Sequence, residues 1–231
     1  MTSNAPSAPP SGRRRGQNSS GELTRNLILD VAERLCAHGG FEALSVRAIS
    51  EAAQVNIAAI TYHFGGKNQL FEEMFKRRVV LLNEQRLNLL NAVLASPPAT
   101  LEGVVRAFVE PPMRLTLADS EGNSALIVMQ FLSHAFSMPG ESEFLSRYYE
   151  PVRSRFVLVL QHLLPELGLD EIIWRYNLMV GGVIYAMGGS ERMQRPPAAF
   201  QSMPVSSSFD IDANVARMVR FFVGGLRMPS A

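Results

Sequence analysis

The sequence predicts an all-α fold, and three observations predict it. Apolar residues recur at helical spacing from about residue 27 onward, no stretch alternates with the period of a strand, and the breaks fall at Gly-Gly and Pro-rich clusters. The 231 residues, 47% of them hydrophobic, are enough to bury a core. The expected organisation is a basic tail lacking order over 1–21, a three-helix unit with a helix-turn-helix over 22–68, and a larger helical body over 69–231.

Residues 1–21 are rich in Pro, Ser and Gly and poor in apolar side chains. A first helix follows from the stripe Leu27, Ile28, Val31, Ala32, Leu35 and Cys36, with Gly39-Gly40 as its stop. Cys36 sits on that stripe and reads as a buried thiol. Ser45 is a good N-cap for a second helix through Ala53, and Gln54-Val55-Asn56 reads as a tight turn. A third short helix spans Ile57 to Phe64 and ends at Gly65-Gly66. A long helix from Lys67 to about Leu94 stops at Ser96-Pro97-Pro98. Further helices are expected at about 100–117, 124–137, 143–163, 170–193 and 212–227. Pro111-Pro112 should kink or break the first of these, and 194–210 should be a loop.

The composition excludes several classes of function. One cysteine cannot form an internal disulfide, and no Cys/His spacing suggests a metal site. No apolar run is long enough to span a bilayer, and the N-terminus has no apolar signal region, so the expectation is a cytoplasmic protein with no membrane partner. HExxH, GxSxG, P-loop and dinucleotide motifs are absent, so neither an enzyme nor a cofactor is expected. The net charge is only +1, but residues 11–86 carry eleven Lys/Arg against eight Asp/Glu.

The informative stretch lies in that positive part. Leu44–Lys67 reads as helix, turn, short helix, the arrangement that presents a slim second helix to a major groove about 12 Å wide. Ile57, Ala58, Ala59 and Thr61 are small or apolar enough for close approach, while Tyr62, His63 and Lys67 can reach phosphate oxygens. A plain helical hairpin would show the same outline. The wording is more specific. Ala59-Ile60-Thr61-Tyr62-His63-Phe64-Gly65-Gly66-Lys67 with Leu70-Phe71, preceded by Gly39-Gly40-Phe41, Ser45-Val46-Arg47 and Ile49-Ser50-Glu51-Ala52-Ala53, closely resembles the signature of the TetR family of bacterial transcriptional repressors.

That resemblance implies a double-stranded DNA operator, a homodimer, and roles for individual residues. Arg47 matches a position that reads a base, its planar fork suiting the O6/N7 edge of guanine; the alternative is a surface ion pair with Glu51. Ile57, Ala58, Ala59 and Thr61 form the recognition face. Many members carry Tyr where this chain has Thr61, which is left to touch a thymine methyl or donate to a base edge. Tyr62, His63 and Lys67 match phosphate-clamping positions, and Ser45 both caps its helix and donates to a phosphate. Tyr62 and Phe64 can equally be core aromatics, the reading preferred for Phe64. Arg13-Arg14-Arg15 is either a minor-groove arm or, as we favour, a solvated basic tail.

For the larger body the resemblance implies effector binding and dimerisation. Residues 126–138 are apolar almost all round, so that helix is expected to be buried on every side. Gln130, Ser133 and His134 within it need partners if buried, and His134 is either a satisfied core histidine or the polar anchor of a ligand. Nine of the eleven methionines follow residue 100, as core filler or as an adaptable pocket lining. The segment Glu171–Asn177 through Gly182 is similar to a subgroup that responds to fatty acids or acyl-CoA, which makes Trp174, Arg175 and Asn177 pocket or interface candidates. Gly181-Gly182 and Gly224-Gly225 suit close helix approach between subunits, and Gly188-Gly189 a helix end. The expected function is a dimeric, ligand-responsive repressor. The alternatives are a DNA-binding protein of this fold with no small-molecule input, or an all-α enzyme.

Overall fold

The computed structural model describes residues 13–40, 43–117, 123–137, 143–188, 193, 195–200 and 210–229. Among them the secondary structure is helical, with no strand. The chain forms two compact units, Met1–Glu73 and Met74–Ala231.

In the first unit, α1 (Arg13–Gly39), α2 (Val46–Ala53) and α3 (Ile57–Phe64) are followed by the start of α4 (Lys67–Phe75). Ile28, Leu29, Val31, Ala32 and Cys36 of α1 are buried with Leu44, Ile49, Ala53, Ile60, Phe64 and Leu70. Helix α1 starts at Arg13, inside the stretch expected to be a tail, and residues 1–12 lie outside the described residues. Polar composition does not prevent this extension, because adding a residue to a helix whose core half is already fixed avoids the cost of nucleation. Arg25 lies over the Phe64 ring, 5.1 Å from its centroid, and pairs with Glu73. Burial, aided by nearby Glu33, pushes the Cys36 thiol up to about 11. At pH 8 only about one thiol in a thousand is then ionised. Titration with a disulfide reagent should therefore find Cys36 inert in the folded protein and reactive in urea. Rapid reaction of the folded protein would contradict its burial.

The second unit contains a π-helical turn, Lys76–Val80, then α5 (Leu81–Leu94), α6 (Leu101–Arg114), α7 (Asn123–Ser137), α8 (Glu143–Tyr148), α9 (Glu150–Leu163), α10 (Leu169–Ala186), a short 3-10 turn at Ala198–Phe200, and α11 (Ile211–Arg227). At its centre Phe108 of α6 packs edge-to-face on Phe156, at 5.2 Å, and on Tyr176, at 5.4 Å. Three sequence expectations need correction here. Helix α6 runs through Pro111-Pro112 without a break. Pro112 cannot donate to the carbonyl of Phe108, and the Nε of Arg86 donates to that carbonyl instead, at 3.0 Å. The helix expected over 143–163 is interrupted at Tyr149, and α9 restarts with Pro151 in its first turn, where a missing N–H costs nothing. Finally, α7 is not buried on every side: Ala125, Ile127, Val128 and Leu132 are buried, whereas Leu126, Met129 and Gln130 are half-buried and Ser133 is exposed.

Candidate nucleic-acid interface

The turn between α2 and α3 is built from caps. The Ser45 hydroxyl accepts from the Ala48 N–H at 3.0 Å, and the Asn56 side chain accepts from the Ala58 N–H at 2.9 Å. Between them Gln54 takes the left-handed conformation, with φ of 54°, and its N–H reaches back to Glu51 and Ser50 carbonyls. The Ser50 hydroxyl donates to the Val55 carbonyl at 2.6 Å, which ties the turn to the buried side of α2. Gly65 ends α3 at φ of 77°, a conformation that any side chain would strain. Asn56 was legible as part of a turn but not as a cap, although Asn immediately before an apolar run is a helix-start signal.

These caps fix which face of α3 meets solvent. Ile60 and Phe64 point into the unit, fully buried or nearly so. Ile57, Ala58, Thr61 and Tyr62 form the opposite, exposed face, with Tyr62 85% accessible. Ala59 and His63 lie half-buried at its border, and the Tyr62 and His63 rings meet edge-on at 5.1 Å. Lys67 is exposed at the start of α4. Arg47 is exposed on α2, and its Nε donates to the Glu51 carboxylate at 2.8 Å. The ion pair with Glu51 is thus formed in the free protein, and it lies fully in solvent reach. Arg13, Arg14 and Arg15 belong to the first turn of α1, and the positions of their side chains are outside what the structure describes.

Of the effector candidates, Gln130 lies on α7 and Trp174 and Asn177 on α10. Gln130 is half-buried on α7, and the His134 side chain lies outside the described residues. Trp174, 66% exposed, and Asn177 lie on the outer face of α10. They share that face with Leu178, Gly181 and Tyr185, all exposed. Arg175 turns aside to α11. Its Nε donates to Glu171 at 2.6 Å, and its Nη1 donates to the carbonyl of Leu226 at 2.9 Å, where a cation suits the carboxyl end of a helix.

Between α10 and α11 runs an open apolar groove of 610 Å³, walled by Leu178, Met179, Tyr185, Met218, Phe221 and Phe222 among others. Gly182 is packed within the chain: a Cβ there would come within 2.8 Å of the Phe222 ring. At Gly181, Gly224 and Gly225 a Cβ would meet nothing within 4 Å. Among the described residues no group of three or more His, Cys, Asp or Glu could hold a metal ion, and no helix is long and apolar enough to cross a membrane.

Two family models match the chain. The family model described as bacterial regulatory proteins, tetR family, matches residues 28–74, and the one described as tetracyclin repressor-like, C-terminal domain, matches residues 106–225. No curated protein sequence matches the chain. Among solved structures, HlyIIR, a hemolysin II transcriptional regulator, is 18% identical with a TM-score of 0.59, over 87% of this chain and 97% of that chain. The fatty acid degradation regulator FadR from Bacillus halodurans is 16% identical with a TM-score of 0.55, over 88% of this chain and 96% of that one. Both are likenesses of fold. With one family model on the helix-turn-helix and a second across most of the larger unit, the chain belongs to the TetR family of bacterial transcriptional regulators.

Proposed function

We propose that this regulator is a homodimeric repressor that holds a pseudo-palindromic operator and releases it when a small amphipathic molecule, a fatty acid or acyl-CoA, binds the larger unit. The observation that carries the DNA-binding half is the solvent face of α3: small or apolar at Ile57, Ala58 and Thr61, flanked by Tyr62, His63 and Lys67, and held rigidly by caps at both ends. In this reading Arg47 and Thr61 meet base edges, Ile57, Ala58 and Ala59 make close apolar contact with the groove, and Ser45, Tyr62, His63 and Lys67 contact phosphates. One short helix covers too few base pairs to select a site, so two are needed about 34–36 Å apart. The pairing surface we infer is the exposed face of α10 and α11, which carries Trp174, Leu178, Tyr185 and Phe221 in solvent when one chain stands alone. Asn177 and Trp174 then belong to this interface rather than to an effector site.

The effector reading is supported by the apolar side chains of α7 to α10, Met129 and Met179 among them, with Gln130 and His134 as candidates for its polar end. Binding shifts the DNA affinity only if the effector prefers the arrangement that cannot bind, and tenfold release needs only about 1.4 kcal/mol of coupling. Footprinting of the DNA upstream of the protein's own coding region tests both halves. The expected result is protection by the protein alone that fades as dodecanoate or dodecanoyl-CoA is added. Protection indifferent to every acyl compound would remove the effector class and favour a regulator without small-molecule input.

A further inference from the structure

The interior of the larger unit holds a positive charge that no carboxylate among the described residues balances. Arg86 of α5 is 2% exposed. Its Nε is committed to the Phe108 carbonyl, and its guanidinium carbon lies 3.9 Å from the centroid of the Phe108 ring. Among the described residues no carboxylate comes within ion-pairing distance of it. The ionisable side chains that act on it are Tyr149 and Tyr176, whose hydroxyls lie 3.1 Å apart. Burial raises the pKa of both phenols, so both are neutral and neither serves as counter-anion. A guanidinium does not shed its proton in a protein, so an interior one is costly to keep unless an anion answers it.

A second orphan lies on the same face of the same helix. Asn83, three residues before Arg86 and 5% exposed, donates from Nδ2 to the Tyr148 carbonyl at 3.0 Å. Its Oδ1 is buried and accepts no hydrogen bond. Positions three apart on a helix are neighbours, so the uncompensated guanidinium and an unmatched amide acceptor adjoin. Buried polar atoms left this way mark a place where a partner is missing.

We propose that Arg86 anchors the carboxylate of the effector, so that the molecule sensed is a free acid rather than a thioester. This rests on the reading that the larger unit binds an effector, and it narrows that reading. A carboxylate accepts two parallel N–H bonds from the guanidinium edge left free by the bond at Nε and neutralises the charge where it stands. A thioester offers only a neutral carbonyl at that depth, its phosphates lying far along the coenzyme.

Calorimetric titration of the full-length protein with dodecanoate, methyl dodecanoate and dodecanoyl-CoA tests this. Wild type should bind dodecanoate at least about tenfold more tightly than the ester or the thioester, the least that a charge-assisted hydrogen bond supplies. Arg86→Met should bind acid and ester alike. Equal affinity of wild type for acid and ester overturns the proposal, and that comparison needs no variant. An Arg86→Met protein that keeps the preference for the acid also overturns it. If the ester releases DNA as well as the acid does, the effector reading stands and the role of Arg86 falls. If none of the three compounds binds, both fall together.

Discussion

Phe221→Asp should convert the protein from dimer to monomer at micromolar concentration and lower operator affinity by at least about 100-fold, because two linked half-sites bind far more tightly than either alone. Phe221 is 77% exposed in the single chain, so a carboxylate there costs the isolated fold little. Across a two-fold axis the same change places two buried, unpaired anions against apolar surface, which is costly to each. Sedimentation velocity and DNA titration on the same sample check it, with unchanged helical content as the control. A variant that remains dimeric would move the interface away from α10 and α11.

Arg47→Ala and Lys67→Ala should both weaken DNA binding, but in different ways. In the free protein Arg47 is paired with Glu51, and with side-chain exposures of 83% and 66% that pair is fully solvated. Such a pair is worth about 0–1 kcal/mol, against about 1–3 kcal/mol of discrimination from a bidentate contact to guanine. The guanidinium should therefore leave Glu51 for the base. Arg47→Ala should lose about 1–3 kcal/mol on the specific site only and relax preference at one base pair. Lys67→Ala should weaken all sequences alike and reduce the salt slope by about one. Titrations on operator and on random DNA at several salt concentrations separate the two. Equal losses on both DNAs in both variants would remove Arg47 from base reading.

Features that a few adjacent residues decide were legible in the sequence. Ser45 as a cap, Gly65 as a stop, and Phe64 as a core aromatic follow from local chemistry, and the exposed face of α3 is the one they leave. The long-range features were not legible. Pro111-Pro112 reads as a break because only a side chain from another helix, Arg86, supplies the hydrogen bond that Pro112 removes. An arginine in a polar-looking run, Asn-Glu-Gln-Arg, gives no sign that it will be buried. The stripe Leu126, Met129, Gln130 and Ser133 reads as interior from composition, yet whether a face is covered depends on what packs against it. Trp174 on α10 reads as a pocket or interface candidate, and only the structure places it in solvent in the single chain.

Two copies of α3, held by one dimer, should read a symmetric site. Selection of bound fragments from a random DNA pool by the full-length protein tests it most directly. A pseudo-palindrome whose half-sites lie about one helical turn apart, or a multiple of that distance, should be enriched, and that enrichment should be lost in Phe221→Asp. Enrichment of a single asymmetric motif, equally strong in the monomeric variant, would contradict it.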